Sequence, residues 1–361
     1  MNYYSLLVAL IILTALFMRG DQKGNKKYVI VACLLLFTIY GLRDAYRIGC
    51  DTTSSYIGNF ERMQASSWSG IIESTGGTNA LFYLMTKAFS AYISTDYQLY
   101  ITVIAVFVTF CFGRLVYRYS PNPLQSILYY FGLLLYSFHF SALKQSIAMS
   151  FLFLAFDPLV KRKPIRFILL VCVAAQFHFP SLVFLPAYWL AKLRLGRSYL
   201  LFLAIMLALT YIFRNQIINY MNSLYEESTG EIDLSGVRFL RNKAIIMIAI
   251  VAAAVCIRRP AQDEPVYGIL MQFMGLAIVF QTFCGYDNIF ERLADYYFQF
   301  AVIFIPLVFE KGHERSGLLG EGATRAINTV APFVFCGFGV YRFLDYVSNS
   351  QFFMPFYFFF Q

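Results

Sequence analysis

The sequence predicts an all-α fold, a polytopic transmembrane helical bundle of about 11–12 spans. Of the 361 residues, 59% are hydrophobic and only 14% are charged, and the mean hydropathy is +0.60. Soluble domains carry about 25% charged residues, so this composition excludes an ordinary soluble protein. Long apolar stretches also alternate with short basic connections. One bundle accounts for residues 1–361, and we predict a single integral membrane domain.

Most of the predicted spans are shorter than the ~20 residues of a straight crossing, so flanking aromatic residues must extend them. The first stretch has no basic residue before it and no small-residue cleavage site after it, which predicts a span rather than a removed signal peptide. In chain order the stretches are Tyr3–Met18, Tyr28–Leu42, Tyr97–Phe112, Leu124–Phe138, Ser146–Val160, Ile165–Phe177, Ser181–Leu190, Tyr199–Phe213, Ala244–Ile257, Val266–Phe283, Leu293–Phe309 and Ile327–Leu344.

The connections rich in Lys and Arg predict the cytoplasmic side. With these inside, both chain ends and the two long loops, residues 43–79 and 214–241, lie outside. The net charge of +9 is then a topology signal, and no nucleic-acid partner is expected. The basic connections are Arg19 to Lys27, Arg114 to Arg118, Lys161 to Arg166, Lys192 to Arg197, Arg258 to Arg259 and Lys311 to Arg325.

Two segments do not fit a simple alternation of spans. Ala80 to Ile93 is apolar enough to cross, yet a crossing there would invert the basic loops that follow, so we predict an amphipathic helix on the outer surface or dipping into the bundle. Ile165 to Leu190 has basic residues at both ends and is broken near His178, where Pro180 lacks a backbone donor. Two half-helices that enter and return are predicted there.

Cysteines and histidines give no metal or redox signature. The seven cysteines contain no Cys-x-x-Cys pair, and the three histidines are far apart. We therefore expect no metal centre.

The outer loop Gly41–Met63 concentrates charged and aromatic residues directly after a span. Arg43 and Arg47 are candidate substrate ligands, because guanidinium groups match the geometry of phosphate oxygens. Asp51 is a candidate catalytic carboxylate, and Tyr56 a platform for a sugar ring. The alternative is a solvated loop with ordinary interface anchors.

Four further segments bring polar groups to the predicted outer side. Each has a plainer alternative: snorkelling for Lys144, a buried structural role for His178, an ordinary loop charge for Arg238 and Arg241, and a structural bridge between Arg292 and Asp295. Midspan charges are nearly absent, which favours surface chemistry over ion transport. The candidates are Lys144, Gln145, Arg238, Arg241 and Arg292 for substrate binding, and Glu291 and His178 for catalysis.

In order along the chain, the motifs GLRD, RIGCDTTSSYIGNF, SALKQSIAMSFLFLAF, VAAQFHFPSLVFLP, ERLADYYFQF and MPFYFFF resemble those of the EpsG family of Wzy-type polysaccharide polymerases. The resemblance covers nearly the whole chain. Two positions depart from it: Lys144 stands where members often have Arg, and Asn79 where they often have an acidic residue. The first keeps a cation without the bidentate fork, and the second removes a candidate base.

The resemblance implies a multi-pass glycosyltransferase of the bacterial plasma membrane with its site facing outward. It would join oligosaccharide repeat units carried on undecaprenyl diphosphate into O-antigen, capsule or exopolysaccharide, with no nucleotide sugar, metal or other cofactor. Expected partners are membrane lipid, chain-length regulators and flippase proteins. Arg43, Arg47, Lys144 and Arg292 would neutralise the departing diphosphate, and Asp51, in preference to Glu291, would act as base. O-antigen ligase, lipid-linked oligosaccharide flippase and acyltransferase through His178 stay open as alternatives.

Overall fold

A computed structural model describes residues 3–18, 22–75, 77–193, 195–225, 242–257, 264–284, 289–310 and 321–361. Helices dominate these residues, and within them the β-structure is a single isolated bridge between Arg43 and Phe358. The predicted all-α class is confirmed.

Nine helices precede residue 161 in the described part of the chain. They are α1 (Tyr3–Met18), α2 (Gln22–Gly41), α3 (Ser55–Ala65), α4 (Trp68–Thr75), α5 (Ala80–Tyr92), α6 (Tyr97–Tyr119), α7 (Pro123–Gly132), α8 (Leu135–Phe138) and α9 (Leu143–Val160). A short 3₁₀ helix, Asp51–Thr53, lies between α2 and α3.

The rest of the described chain contains α10 (Pro164–Phe177), α11 (Ala187–Leu190), α12 (Arg197–Ile212), α13 (Arg214–Tyr225), α14 (Asn242–Ile257), α15 (Pro265–Gln281), α16 (Ile289–Phe298), α17 (Ala301–Val308) and α18 (Glu321–Asn349). A second 3₁₀ helix, Phe179–Phe184, separates α10 from α11.

The chain divides into two compact units, each assembled from separate parts of the sequence. The first unit comprises Met1–Leu154, Cys172–Phe179 and Ala331–Gln361, and the second comprises Ala155–Val171 and Pro180–Val330. In the first unit α2 packs against α1 and α6, whereas in the second α15 packs against α12, α14 and α16.

Fewer helices are long enough to cross a membrane than the sequence predicted. Among the described residues, α6, α9 and α18 meet the length and hydropathy of a full span, and the pair α12 and α13, bent by 63°, adds a fourth if it is counted as one. Other apolar helices, among them α1, α10, α14 and α15, have 10–17 residues. The predicted stretches are therefore largely helical, but many are too short for a straight crossing.

Both irregular segments have the predicted local structure. Residues 80–92 form the helix α5, which buries Phe82, Thr86 and Phe89 on one face and packs against α3. The helix α10 ends at Phe177, and a 3₁₀ helix follows. The outer loop 43–79 is mostly helical, since α3 and α4 lie within it, and the loop 214–241 begins as the helix α13.

The helix α6 fixes the end of α2 within the first unit. The Thr102 hydroxyl donates to the Gly41 carbonyl at 2.9 Å, and the Gln98 side-chain oxygen accepts from the Ala45 N–H at 2.8 Å. Because Gln98 is buried, these bonds form away from competing water. The chain that leaves α2 therefore starts from a fixed position.

Candidate functional site

Residues 42–50 follow α2 as a compact loop, which we call the arginine loop. Its backbone is bonded to the segment 350–361, which contains the partner of the Arg43 bridge. Three more backbone hydrogen bonds join the two pieces: Asp44 N–H to Tyr357 O at 2.9 Å, Phe359 N–H to Leu42 O at 3.1 Å, and Gly49 N–H to Phe352 O at 2.8 Å. The segment 350–361 thus forms one side of the candidate site.

Gly49 lets the arginine loop turn over the residues that precede α9. Its φ of +112° is one that side-chain-bearing residues rarely adopt. A Cβ atom here would lie 2.3 Å from the Phe140 carbonyl oxygen. The close approach of the loop to residue 140 therefore requires glycine.

Arg43 lies at the centre of the loop and is 0% exposed. Its Nε donates to the Ile48 carbonyl at 3.2 Å, its Nη2 to the Phe140 carbonyl at 3.5 Å, and its Nη1 to the Tyr40 carbonyl. The guanidinium also lies 4.8 and 4.7 Å from the ring centres of Tyr40 and Phe140. Burial lowers the pKa of Arg43 from its ordinary value.

The sequence predicted that Arg43 contacts substrate, but the structure places it inside the protein. Its guanidinium binds backbone carbonyls on both sides of the loop, and it therefore determines the loop's shape. Arg43 is a structural residue of the arginine loop in this arrangement, and its contact with substrate stays a prediction.

Arg47 has the opposite environment, with a side chain that is 60% exposed. Its Nε lies 3.3 Å from Asp44 Oδ2, and its guanidinium carbon lies 5.0 Å from the ring centre of Tyr357. The structure therefore presents a guanidinium at the surface of the first unit, held by a carboxylate and an aromatic ring. Such a group suits an anionic ligand.

Asp51 begins the 3₁₀ helix that follows the arginine loop and is half-buried. Side chains fix this helix against the turn before α9: the Thr52 hydroxyl donates to the Phe140 carbonyl at 3.0 Å, and the Cys50 N–H donates to the Ser141 hydroxyl at 3.1 Å. The structure thus attaches the 3₁₀ helix of the candidate base to the turn before α9, and Lys144 lies at the start of α9.

Lys144 is held by aromatic residues at the start of α9. Its Nζ donates to the Tyr83 hydroxyl at 2.5 Å and lies 4.3 and 5.3 Å from the ring centres of Tyr83 and Phe82. Its backbone N–H donates to the Tyr56 hydroxyl at 3.3 Å. Tyr56 and Phe82 are in edge-to-face contact, 5.9 Å apart. These residues form an aromatic cradle for one cation.

Gln145 and His178 are enclosed, with 2% and 5% of their surface exposed. Next to His178, the Phe179 N–H donates to the Asn79 side-chain oxygen at 2.8 Å. Asn79 precedes α5 with a φ of +53°, a conformation that asparagine tolerates. The position where the family resemblance expected an acidic residue therefore supplies an acceptor for the backbone beside His178.

The remaining candidates lie in the second unit or outside the described residues. Arg238 and Arg241 lie outside the described residues. Glu291 and Arg292 belong to the second unit, where Lys243 Nζ lies 3.4 Å from Glu291 Oε1 and pairs with Asp295 Oδ1. Asp295 is 4% exposed, and its ion-pair partner is Lys243, with Arg292 adding a weaker attraction.

Sequence reasoning missed Tyr357, Tyr83 and Lys243 as partners of charged groups. Tyr357 lies in the aromatic run FYFFF, and Tyr83 lies on the amphipathic α5, but neither position reveals which cation it meets. Lys243 stands at the entrance of a predicted span, where snorkelling is the usual expectation. Only the folded chain connects these residues with Arg47, Lys144 and Asp295.

Comparison with known proteins gives one match. The model of the EpsG family matches residues 26–358, a range that includes the arginine loop, α5, Lys144, His178 and Tyr357. No curated protein matches the chain. No solved structure matches it either.

Proposed function

The chain belongs to the EpsG family, membrane proteins of polysaccharide biosynthesis, and we propose that it polymerises oligosaccharide repeat units carried on undecaprenyl diphosphate. The reaction is glycosyl transfer at the extracytoplasmic face of the bacterial plasma membrane. The substrates are two lipid-linked oligosaccharides, and the product is one longer chain on one lipid. Neither a nucleotide sugar nor a metal takes part.

One observation carries the proposal: the arginine loop, the 3₁₀ helix and the start of α9 are bonded into one scaffold within the first unit. This scaffold holds the exposed cation Arg47, the half-buried carboxylate Asp51 and the cradled cation Lys144. Two cations suit a diphosphate, and a carboxylate on the same scaffold suits proton abstraction from a sugar hydroxyl. The combination fits displacement of a lipid diphosphate.

The leaving group is the largest charge that develops in this reaction. As the bond between the anomeric carbon and the diphosphate oxygen breaks, its electron pair stays on the diphosphate. Arg47 and Lys144 stabilise that charge, and both are already oriented by neighbouring side chains before substrate arrives. Preorganised charges of this kind lower the barrier because they need not reorient during the reaction.

The attacking group is a hydroxyl of the incoming repeat unit. It forms the new bond to the anomeric carbon, and Asp51 takes its proton. A single displacement inverts the anomeric carbon. Glu291 is the weaker candidate base because its carboxylate is engaged with Lys243 in the second unit.

Asp51→Asn tests the proposal most directly. The variant keeps the shape of the side chain and loses the base, so we expect polymerisation to fall by roughly 100-fold or more. The measurement is the ladder of glycan lengths made by purified protein in liposomes that contain the lipid-linked repeat unit. The matched control is Glu61→Gln, which removes an exposed carboxylate on α3 and should leave the ladder unchanged.

The same assay separates the alternatives. A ligase would transfer one chain to a different acceptor without building a ladder, and a flippase would move the lipid without lengthening its glycan. A full ladder from Asp51→Asn would remove Asp51 from the mechanism. Absence of any ladder from the unaltered protein would refute polymerisation.

A further inference from the structure

We infer that Tyr357 positions Arg47 for the diphosphate, so that the segment 350–361 is part of the anion-binding site. This inference rests on the proposed function for the identity of the ligand. Tyr357 contacts Arg47, the cation that would bind the diphosphate, and is not proposed to contact the reacting atoms. The geometry that supports it lies entirely within the first unit.

The two partners of Arg47, Asp44 and Tyr357, are hydrogen-bonded to each other through the backbone. The Asp44 carboxylate lies 3.3 Å from Arg47 Nε, and the Asp44 N–H donates to the Tyr357 carbonyl at 2.9 Å. The neighbouring bridge between Arg43 and Phe358 fixes the backbone on either side. The ring of Tyr357 therefore lies under the guanidinium because the backbone holds it there, not by a chance meeting of two surface side chains.

An exposed ion pair alone would hold Arg47 poorly. Exposed ion pairs contribute little to the ordering of a side chain, because water screens their charges and both side chains lose conformational freedom. A ring 5.0 Å from the guanidinium carbon adds a second contact that restrains the side chain. The closest approach of Asp44 is to Nε, and a phosphate would accept from the two terminal amino groups, which form the fork that matches its oxygens.

The test measures binding of farnesyl diphosphate, a soluble prenyl diphosphate, to the full-length protein in detergent by calorimetry. Arg47→Ala should weaken binding by roughly tenfold or more, since it removes bonds to a charged ligand. Tyr357→Leu keeps the apolar bulk but removes the π-face, and should weaken binding by roughly two- to fivefold. Tyr357→Phe keeps the face and should bind as the unaltered protein does.

Two controls isolate the effect. Phe360→Ala removes an exposed ring of the same segment, one that contacts the rings of Phe358 and Phe359, and should leave binding unchanged. Farnesol, which lacks the diphosphate, should not distinguish any of the variants. Tyr357→Met replaces Tyr357→Leu if the latter loses its folded fraction by size-exclusion chromatography.

The double variant Arg47→Ala with Tyr357→Leu decides whether Tyr357 acts through Arg47. If it does, the second substitution has no further effect once Arg47 is gone. The inference would be overturned if the two substitutions had additive effects on binding, or if Tyr357→Leu bound as tightly as the unaltered protein. It would also be overturned if Arg47→Ala did not weaken binding, or if the unaltered protein did not bind farnesyl diphosphate. Polymerisation itself is tested separately by the glycan ladder of the unaltered protein and of Asp51→Asn, whereas binding that does not depend on Arg47 would also remove Arg47 from the proposed mechanism.

Discussion

The two units of the protein each contain a cluster of charged residues, and they satisfy most of those charges differently. In the first unit, Arg43 binds backbone carbonyls and Lys144 binds a tyrosine hydroxyl and aromatic faces, while the exposed Arg47 pairs with Asp44. In the second unit, Lys243 binds the carboxylates of Glu291 and Asp295. Neutral partners stabilise a cation without cancelling its charge, whereas carboxylates cancel it.

This difference separates a region suited to binding from a region suited to structure. The first unit keeps positive charge around the arginine loop and the start of α9, and positive charge attracts a diphosphate. The cluster of Lys243 with its two carboxylates leaves no excess of positive charge. Three substitutions test whether this contrast holds, in order of decreasing effect.

Arg43→Ala should have the largest effect on stability. It removes three hydrogen bonds from a charged donor to buried carbonyls, two of which also accept from the Thr52 hydroxyl, and we expect the free energy of unfolding to fall by about 3 kcal/mol. The measurement is the unfolding temperature in detergent together with the monodisperse fraction. Arg43→Lys should recover only part of the loss, because an ammonium lacks the fork that reaches separate carbonyls.

The control for Arg43 is Arg62→Lys, which changes an exposed arginine on α3 and keeps a cationic donor near the Asn59 side chain that Arg62 contacts. Surface substitutions of this kind change stability by about 0.5 kcal/mol or less. If Arg43→Ala unfolded at the same temperature as the Arg62 variant, the buried guanidinium would not hold the arginine loop. Arg43 would then not be an example of a cation that is stabilised by neutral partners in the first unit.

Lys243→Met breaks the cluster of the second unit. It removes the ammonium group that pairs with the buried carboxylate of Asp295 and with the half-buried Glu291. We expect the free energy of unfolding to fall by about 2 kcal/mol, less than for a fully buried pair because the cluster is partly exposed. Unfolding temperature is again the measurement. Farnesyl diphosphate binding per folded molecule should not change.

Lys161→Met supplies the matched comparison within the same unit. Lys161 pairs with Asp157 at 3.1 Å, but its side chain is 46% exposed. We expect Lys161→Met to lower the free energy of unfolding by about 0.5 kcal/mol or less. If the Lys243 variant kept its stability but lost diphosphate binding, Lys243 would belong to the ligand-binding site. The second unit would then be the region suited to binding, contrary to the contrast drawn above.

Substitutions of Asn79 test a single backbone hydrogen bond, whose loss alone should be the smallest of the three effects. Asn79→Gly tolerates the positive φ but loses the acceptor for the Phe179 N–H, and should destabilise by about 1 kcal/mol. Asn79→Ala loses the acceptor and also tolerates the positive φ poorly, so it should lower the free energy of unfolding by about 1 kcal/mol more than Asn79→Gly does. Asn79→Asp keeps an acceptor oxygen and should match the unaltered protein in unfolding temperature.

Hydrogen exchange at the Phe179 amide gives a local readout for the same series. Protection should persist in Asn79→Asp and fall in Asn79→Gly. Equal protection in both would mean that the hydrogen bond does not hold the backbone beside His178. An acidic residue at this position would then need a role other than that of a backbone acceptor.

Local properties of the residues determined the class of this protein. The apolar stretches required helices, since a chain in lipid must satisfy its own backbone groups. The apolar run Ala80 to Ile93 predicted the helix α5, and Pro180 predicted the break after α10. The order of the motifs indicated the family that the comparison then matched. All of these signals depend on near neighbours in the chain.

Tertiary structure alone decided which charged residues face outward. Arg43 and Arg47 are four residues apart and look equivalent in sequence, yet one is enclosed by carbonyls and the other lies on the ring of Tyr357. Those environments come from residue 140 and from the segment 350–361, which are distant along the chain. Because a guanidinium can be satisfied equally by buried carbonyls or by a surface partner, its own sequence context does not specify which.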